Sequence, residues 1–306
     1  MTIVQLEYLL AVANHGSFST AAEYCFVTQP SLSTQISNLE NELGVILLDR
    51  GTKPIVPTEV GQAVLEQAKL TIAAFYNTKE RVSSMRGELS GKLRLGVIPT
   101  ISPYLMPGFV TRFIKKHPDV KFDIYDMHTS DIVDALSRDV IDVAILSGGQ
   151  SEVKIKETEL FDDKLYVYVS PENELYGRRE ILGEEIDVKK LLLLSEGNCL
   201  RNQVLKLCRA KKDIDSPFNF INGSLENLMY TVDRTSGITI IPAMAVGHIP
   251  EDRRRQIIPF GRAGAKRKIT MAVAPTYVRE SLVSAVRESV MAVANEEFAL
   301  SEFFIP

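Results

Sequence analysis

Leu6-Glu-Tyr-Leu-Leu-Ala-Val-Ala-Asn-His-Gly-Ser-Phe-Ser-Thr-Ala-Ala22, followed by Thr28-Gln-Pro-Ser-Leu-Ser-Thr-Gln-Ile36, is the stretch that decides the fold of this 306-residue chain. Leu6, Leu9, Leu10 and Val12 recur at helical spacing, and Gly16 and Ser17 stop that helix. Ser19 to Cys25 reads as a short second helix, with Ala21 and Ala22 small enough for close packing; Phe26 and Val27 form the turn. Thr28 stands as the N-cap of a third helix that has Pro30 in its first turn, runs to about Leu43 and ends at Gly44. Leu32, Ile36, Leu39 and Leu43 give it a buried stripe. The opposite face carries Ser31, Ser33, Thr34, Gln35 and Asn38, all short, uncharged and hydrogen-bonding. That face suits insertion into a DNA major groove and, taken alone, suits a solvated surface equally well.

Further along, Thr58 begins a long helix through Val60, Val64, Leu65, Ala68, Thr71, Ile72, Phe75 and Met85. So long a helix beside so small a domain has little core of its own and is expected to pack on a copy of itself. Gly87 and Gly91 mark a hinge. From Lys92 onward, strands alternate with helices: Leu93–Ile98, a helix from Thr100 to about His117, Val120–Tyr125, a helix from Thr129 to Arg138, and Ile141–Leu146. Such apolar runs predict a parallel sheet covered on both faces. The runs at Leu165–Val169, Leu191–Leu194, Phe218–Ile221 and Gly237–Ile241 predict a second α/β lobe. Ile269–Val273 and a last helix from about Val278 to Val293 return the chain to the first lobe. Thr100 and Thr129 follow strand ends, where open α/β sheets place ligands, though both also fit as helix caps.

Composition narrows the function. The chain is mildly acidic overall, with a formal net charge of −4. No apolar run is long enough to cross a bilayer, and the N-terminus lacks a basic then apolar leader, so a cytoplasmic protein is expected. His15, His117, His128 and His248 are dispersed and make no metal motif, and no cofactor loop is present. Residues 1–60 hold Arg50 and Lys53 against Glu7, Glu23, Glu40, Glu42, Asp49 and Glu59. A DNA-binding module with so few cations is expected to bind weakly without sequence specificity, with a shallow salt dependence, and to rely on several linked copies.

The chain has three cysteines. Cys25 reads as core, beside Phe26 and Val27. Cys199 and Cys208 are nine residues apart in Gly197-Asn-Cys-Leu-Arg-Asn-Gln-Val-Leu-Lys-Leu-Cys208. If that segment is helical, nine residues turn it by about 900° and advance it about 13.5 Å, so the two thiols leave from opposite faces. A disulfide needs Cα atoms within about 7 Å, so oxidation would have to unwind the segment. The pair reads either as two core cysteines or as a redox switch.

The run from Leu6 to Ala22, with Thr28–Ile36, Leu39-Glu-Asn-Glu-Leu-Gly44 and Leu47-Leu-Asp-Arg50, resembles the LysR-type transcriptional regulators without interruption. The resemblance implies a winged helix-turn-helix (about residues 1–58), a dimerising linker helix and hinge (59–91), and a two-lobed, periplasmic-binding-protein-like regulatory domain (92–306), with lobe I at about 92–161 and 268–306 and lobe II at about 162–267. It puts Thr28, Gln29, Pro30, Ser31, Ser33, Thr34 and Gln35 in the groove, and lays Arg50, Thr52 and Lys53 along phosphates.

Three further motifs are similar to the peroxide-sensing branch of that family: Gly96-Val-Ile-Pro-Thr-Ile-Ser-Pro-Tyr-Leu-Met-Pro107, the cysteine segment with Arg201 between the thiols, and Ser224-Leu-Glu-Asn-Leu228 followed by Ser236-Gly-Ile-Thr-Ile-Ile-Pro-Ala243. By that resemblance Cys199 reacts with hydrogen peroxide to a sulfenic acid and Cys208 resolves it to a disulfide, which cellular thiols such as glutaredoxin or thioredoxin reverse. A helix N-terminus and the nearby Arg201 charge favour an anion at Cys199. Thr100 and Thr129 would hold the two peroxide oxygens in line with the sulfur.

The branch's enterobacterial form has His where this chain has Asn198, a residue that hydrogen-bonds but does not titrate near neutrality. His128, beside Thr129, is the nearest candidate substitute, though adjacent residues on a strand face opposite ways. Promoter DNA, RNA polymerase and a homotetramer built as a dimer of dimers are the partners the family implies. Two competing readings stay open: a LysR-type regulator binding an organic effector in the inter-lobe cleft, and a thiol peroxidase or reductase. The helix-turn-helix argues against the second, so the chain is expected not to be an enzyme.

Overall fold

The structure is a computed structural model that describes residues 1–85, 89–149, 155–209, 223–261, 264–275, 277 and 279–298. It divides into two compact units, residues 1–89 with 276–281, and residues 90–275 with 282–306.

In the first unit α1 spans Ile3–His15, started by a capping box between Thr2 and Gln5 and closed at Gly16. α2 is Phe18–Tyr24, capped by the Ser17 hydroxyl, one residue earlier than the sequence pattern suggests. Phe26 in the following turn has φ +56 and its side chain is 96 % exposed. α3 is Gln29–Leu43, ended by Gly44. Leu32, Ile36 and Leu39 are fully buried against Leu6, Leu9, Val12 and the two alanines Ala21 and Ala22. Leu43 departs from the expected stripe: in the last turn of α3 it is 38 % exposed.

The wing is a two-stranded antiparallel ribbon of β1 (Leu48–Asp49) and β2 (Val56–Pro57). α4 runs Glu59–Met85; the Thr58 hydroxyl accepts the Gly61 amide at 2.9 Å and starts it. Leu65 and Ala68 bury in the small core, whereas Val60, Leu70 and Phe75 are at least two-fifths exposed. The strand from Phe218 to Ile221, the hinge at Gly87 and the helix start at Val278 lie outside the described residues.

The second unit is built on one seven-stranded sheet. In chain order it contains β3 (Gly91–Val97), α5 (Ser102–Lys116), β4 (Val120–Asp126), α6 (Thr129–Ser137), β5 (Val143–Ser147), β6 (Lys156–Val169), α7 (Cys199–Leu207), α8 (Leu225–Val232), β7 (Ile238–Pro242), α9 (Ala243–Val246), β8 (Ile257–Pro259), β9 (Ala265–Val273) and, from Leu282 on, α10 (Glu280–Val293). β3 pairs in parallel with β4 and β5. There the parallel expectation ends: β9 runs antiparallel to β5 and β6, and β7 and β8 both run antiparallel to β6. The two long strands β6 and β9 are the crossovers between the β3–β5 half and the β7–β8 half. Leu191–Leu194 does not make a strand. Leu191 forms a single bridge with Ile238, and the Leu192 amide adds one bond to the same residue.

Candidate functional site

Both thiols of the cysteine segment belong to α7. Gly197, at φ +87, makes the left-handed turn into the helix, a conformation that favours glycine. Asn198 is the N-cap: its Oδ1 accepts the Leu200 amide at 3.0 Å. Cys199 is the first helical residue and Cys208 the C-cap; each is free and about 95 % or more buried. Nine residue steps along an intact helix therefore separate them, about 13.5 Å along its axis. Burial pushes the Cys208 thiol up to about 11. Gly183 lies against the same helix end, so close that a Cβ there would stand 2.2 Å from the Leu207 carbonyl oxygen.

Across from α7 stand the C-terminal ends of β3, β4 and β5. Ile98, just past β3, donates to the Ile145 carbonyl of β5, and Met127, past β4, donates to the Val97 carbonyl, gathering the three strand ends. Thr100 is buried, and its hydroxyl accepts from Arg267 Nη1 at 2.8 Å while its carbonyl accepts from Nη2 at 3.1 Å. Arg267, on β9, is itself fully buried and pairs with Asp163 of β6 at 2.9 Å. Burial pushes the Asp163 carboxyl up against the opposing pull of Arg267 and the amides of Met244 and Ala243. Gln203 on α7 donates to the Ser147 hydroxyl at the end of β5 (2.8 Å). Thr129 is the first residue of α6. Its hydroxyl is buried and finds no hydrogen-bond partner among the described residues, as do His128 Nδ1, Gln203 Oε1 and Thr270 Oγ1. Arg201 donates to the Leu194 carbonyl at 3.1 Å.

Several residues here have no motif in the sequence. Arg267 is hidden between Lys266 and Lys268 and reads as a surface charge run; strand alternation buries it and exposes both lysines. Gln203 and Ser147 carry no local signal at all. His128 is also displaced from expectation: β4 ends at Asp126 and His128 is the N-cap of α6, so the argument from opposite strand faces does not apply.

In the first unit Thr28, Gln29, Pro30, Ser31 and Thr34 are exposed along the N-terminal half of α3, and Ser33 and Gln35 are half-buried. Thr28 occupies the N-cap position without a side-chain cap bond. Thr34 donates back to the Pro30 carbonyl, and Gln35 Oε1 accepts from Gln5. Arg50 is held at 2.8 Å by Glu40 and at 3.1 Å by Ser37, over the Phe18 ring. Thr52 donates to the Asp49 carbonyl, and Lys53 is exposed on the wing. Among the described residues no helix is long and apolar enough to cross a membrane, and no group of three or more metal-binding side chains converges.

Residues 3–62 match the bacterial regulatory helix-turn-helix protein of the lysR family, and residues 86–295 match the LysR substrate binding domain. The chain belongs to the LysR family of DNA-binding regulators, which are not enzymes.

The relatives it is similar to include proteins named OxyR or hydrogen peroxide-inducible genes activator. The hydrogen peroxide-inducible genes activator of Dickeya chrysanthemi is 34 % identical over 296 residues, 94 % of this chain and 95 % of that protein. A full-length OxyR variant of Pseudomonas aeruginosa superposes with a TM-score of 0.76 at 27 % identity, covering 95 % of this chain and 98 % of the other. A Corynebacterium glutamicum OxyR variant described as H2O2-bound gives a TM-score of 0.65 at 28 % identity, covering 99 % and 97 %.

Proposed function

We propose that this chain is a hydrogen-peroxide-sensing transcription activator switched by a reversible Cys199–Cys208 disulfide. The observation that carries the reading is the pair of free, buried thiols at the two ends of one intact helix, in a chain whose relatives are peroxide-inducible gene activators. The Cys199 sulfur attacks one peroxide oxygen, the O–O bond breaks, and the second oxygen leaves as hydroxide and becomes water on taking a proton. Cys208 then displaces hydroxide from the resulting sulfenic acid, releasing a second water and closing the disulfide. A dithiol such as glutaredoxin or thioredoxin takes the oxidising equivalents and restores both thiols. In this reading Thr100, Thr129, Arg201 and Asn198 form the peroxide pocket, with Thr100 and Thr129 gripping the peroxide; the buried, unpartnered Thr129 hydroxyl supports it.

Residues 1–58 bind promoter DNA, with Thr28–Gln35 in the groove and Arg50, Thr52 and Lys53 beside phosphates. Residues 59–91 join two copies through the exposed Val60, Leu70 and Phe75 of α4, and residues 92–306 sense. Two such dimers form the tetramer that meets RNA polymerase, all within the cytoplasm. No observation favours the organic effector.

Non-reducing peptide mapping after about one equivalent of peroxide tests the proposal. A Cys199–Cys208 linkage that forms quickly and is lost on reduction supports it. Two free thiols after that treatment, or a Cys199→Ser chain that still responds to peroxide at its promoter, refute it.

A further inference from the structure

Two buried polar atoms on consecutive residues are unused by the fold. His128 Nδ1 and Thr129 Oγ1 are shielded from solvent, and neither has a hydrogen-bond partner among the described residues. Leaving such an atom unsatisfied costs about 1–3 kcal/mol, so folded chains keep few of them, and those kept call for an explanation. Capping is not the explanation here: His128 sits at the N-cap of α6 with φ −68 and ψ 157, yet its side chain makes no cap bond.

The place of the ring supplies a better one. A Cβ at Gly197 would lie 3.9 Å from His128 Cγ, in ordinary contact, so the imidazole lies against the turn that leads two residues later to Cys199. Gly197 has no side chain to stand between them. Asn198, which closes that turn, has its Oδ1 committed to the Leu200 amide. His117 also has a buried unpartnered nitrogen, but its ring packs on Phe113 at the end of α5, away from either cysteine in the chain.

We propose that His128 is a substrate-contacting residue of the Cys199 centre, its imidazole and the Thr129 hydroxyl together holding the peroxide. This rests on the peroxide reading above and adds to it a residue that reading does not require. Hydrogen peroxide carries a donor and lone pairs on each oxygen. An imidazole nitrogen in either tautomer and a hydroxyl that gives or accepts both match it. As the sulfur takes one oxygen and becomes a sulfenic acid, the O–O bond breaks toward the other oxygen. His128 holds that leaving oxygen by a hydrogen bond; the proton that turns hydroxide into water comes from solvent, and the imidazole ends in its starting protonation state.

The test is the second-order rate of Cys199 sulfenate formation by hydrogen peroxide in the full-length Cys208→Ser chain, set beside its alkylation by iodoacetamide. His128→Phe fills the space without a hydrogen bond and His128→Gln keeps one. The expected result is a drop of about tenfold or more in the peroxide rate for His128→Phe, with iodoacetamide within about twofold and His128→Gln within about threefold of the parent. If His128→Phe does not fold, His128→Leu takes its place. A peroxide rate within twofold of the parent overturns the inference alone. A parent chain in which peroxide reacts with Cys199 no faster than with free cysteine overturns the peroxide reading and the inference with it. Equal losses toward both reagents mark His128 as structural and also overturn it.

Discussion

Removing Arg267 should expose how much of this unit depends on one buried ion pair. Its guanidinium is fully buried, pairs with an equally buried Asp163 at 2.9 Å and donates twice to Thr100. In Arg267→Met the carboxylate keeps only backbone amides such as that of Met244, at 3.4 Å. Truncating one partner of a buried pair costs about 3–5 kcal/mol, because the survivor is left as an uncompensated charge. Burial already pushes the Asp163 carboxyl up; without Arg267 it rises further, and the folded chain escapes part of the penalty by binding a proton.

The sign of the pH effect follows. An acid whose folded pKa lies above its unfolded value loses stability as pH rises from the unfolded value toward the folded one. The deficit of Arg267→Met should therefore be largest near neutrality and shrink below the ordinary carboxylate range. Asp163→Asn combined with Arg267→Met removes the stranded charge and should recover at least half the loss. Hydrogen exchange of the β6 and β9 amides across a urea series reads the unit directly. A loss under about 1 kcal/mol at pH 7.5, or no recovery in the double variant, would refute the reasoning.

Three further outcomes are expected. Because burial lifts Cys208 from 9.0 to about 11, its thiolate population is about a hundredfold below that of an ordinary thiol at pH 8, and mass spectrometry of the reduced chain should find its alkylation slower by a similar factor. The same shift makes stability fall between pH 9 and about 11, since the unfolded thiol ionises first; a flat denaturation midpoint across that window contradicts it. Gly183→Ala places a methyl group 2.2 Å from the Leu207 carbonyl, which must push the end of α7 away, so Cys208 should alkylate faster and the disulfide form at lower peroxide; unchanged rates would mean the Gly183 loop gives way instead. Arg50 is held by Glu40, and Arg50 and Lys53 are the only lysine or arginine residues in residues 1–60, so the log–log salt slope of promoter binding should be no steeper than about −2 per module, and a slope near −5 per module would rule this out.

The helix-turn-helix is legible in the sequence because its punctuation is local. Gly16 and Gly44 supply stops, Thr58 starts the long helix, and the apolar stripe repeats at one period. The sheet of the second unit is not legible in that way. β6 shows only Leu165–Val169 as an apolar run, while its first half, Lys156–Asp163, is mostly charged and polar and takes its order from β9 about a hundred residues later. Long-range antiparallel pairing leaves no local mark, so two crossovers between parallel lobes is the nearest reading that apolar runs allow. Leu191–Leu194 fails for the opposite reason: its apolar character serves the core, and only Leu191 and Leu192 bond to a neighbouring strand residue. In the site, the cysteines and threonines stand out by type and position, whereas Arg267 and Gln203 matter only through partners that folding brings to them.

The helix between the cysteines also determines what the disulfide must undo. A bond between residues 199 and 208 requires their Cα atoms within about 7 Å, roughly half the separation that α7 imposes. Unwinding α7 breaks the Asn198 cap, turns Leu200, Val204 and Leu205 out of their buried positions, and releases the Gln203–Ser147 bond that ties α7 to β5. It also moves Gly197 away from the His128 ring that faces its open side. The last two are links from the cysteine segment to the β3–β5 half, so closing the disulfide weakens the hold of one half of the unit on the other. One further tie between the halves lies beyond the segment: Tyr104 of α5 donates to Glu226 of α8 at 2.7 Å. That bond either resists a change between the halves or passes it from α8 to α5. Tyr104→Phe separates the two cases. A bond that resists makes the variant form its disulfide faster, and a bond that transmits leaves disulfide formation unchanged while uncoupling it from promoter activation.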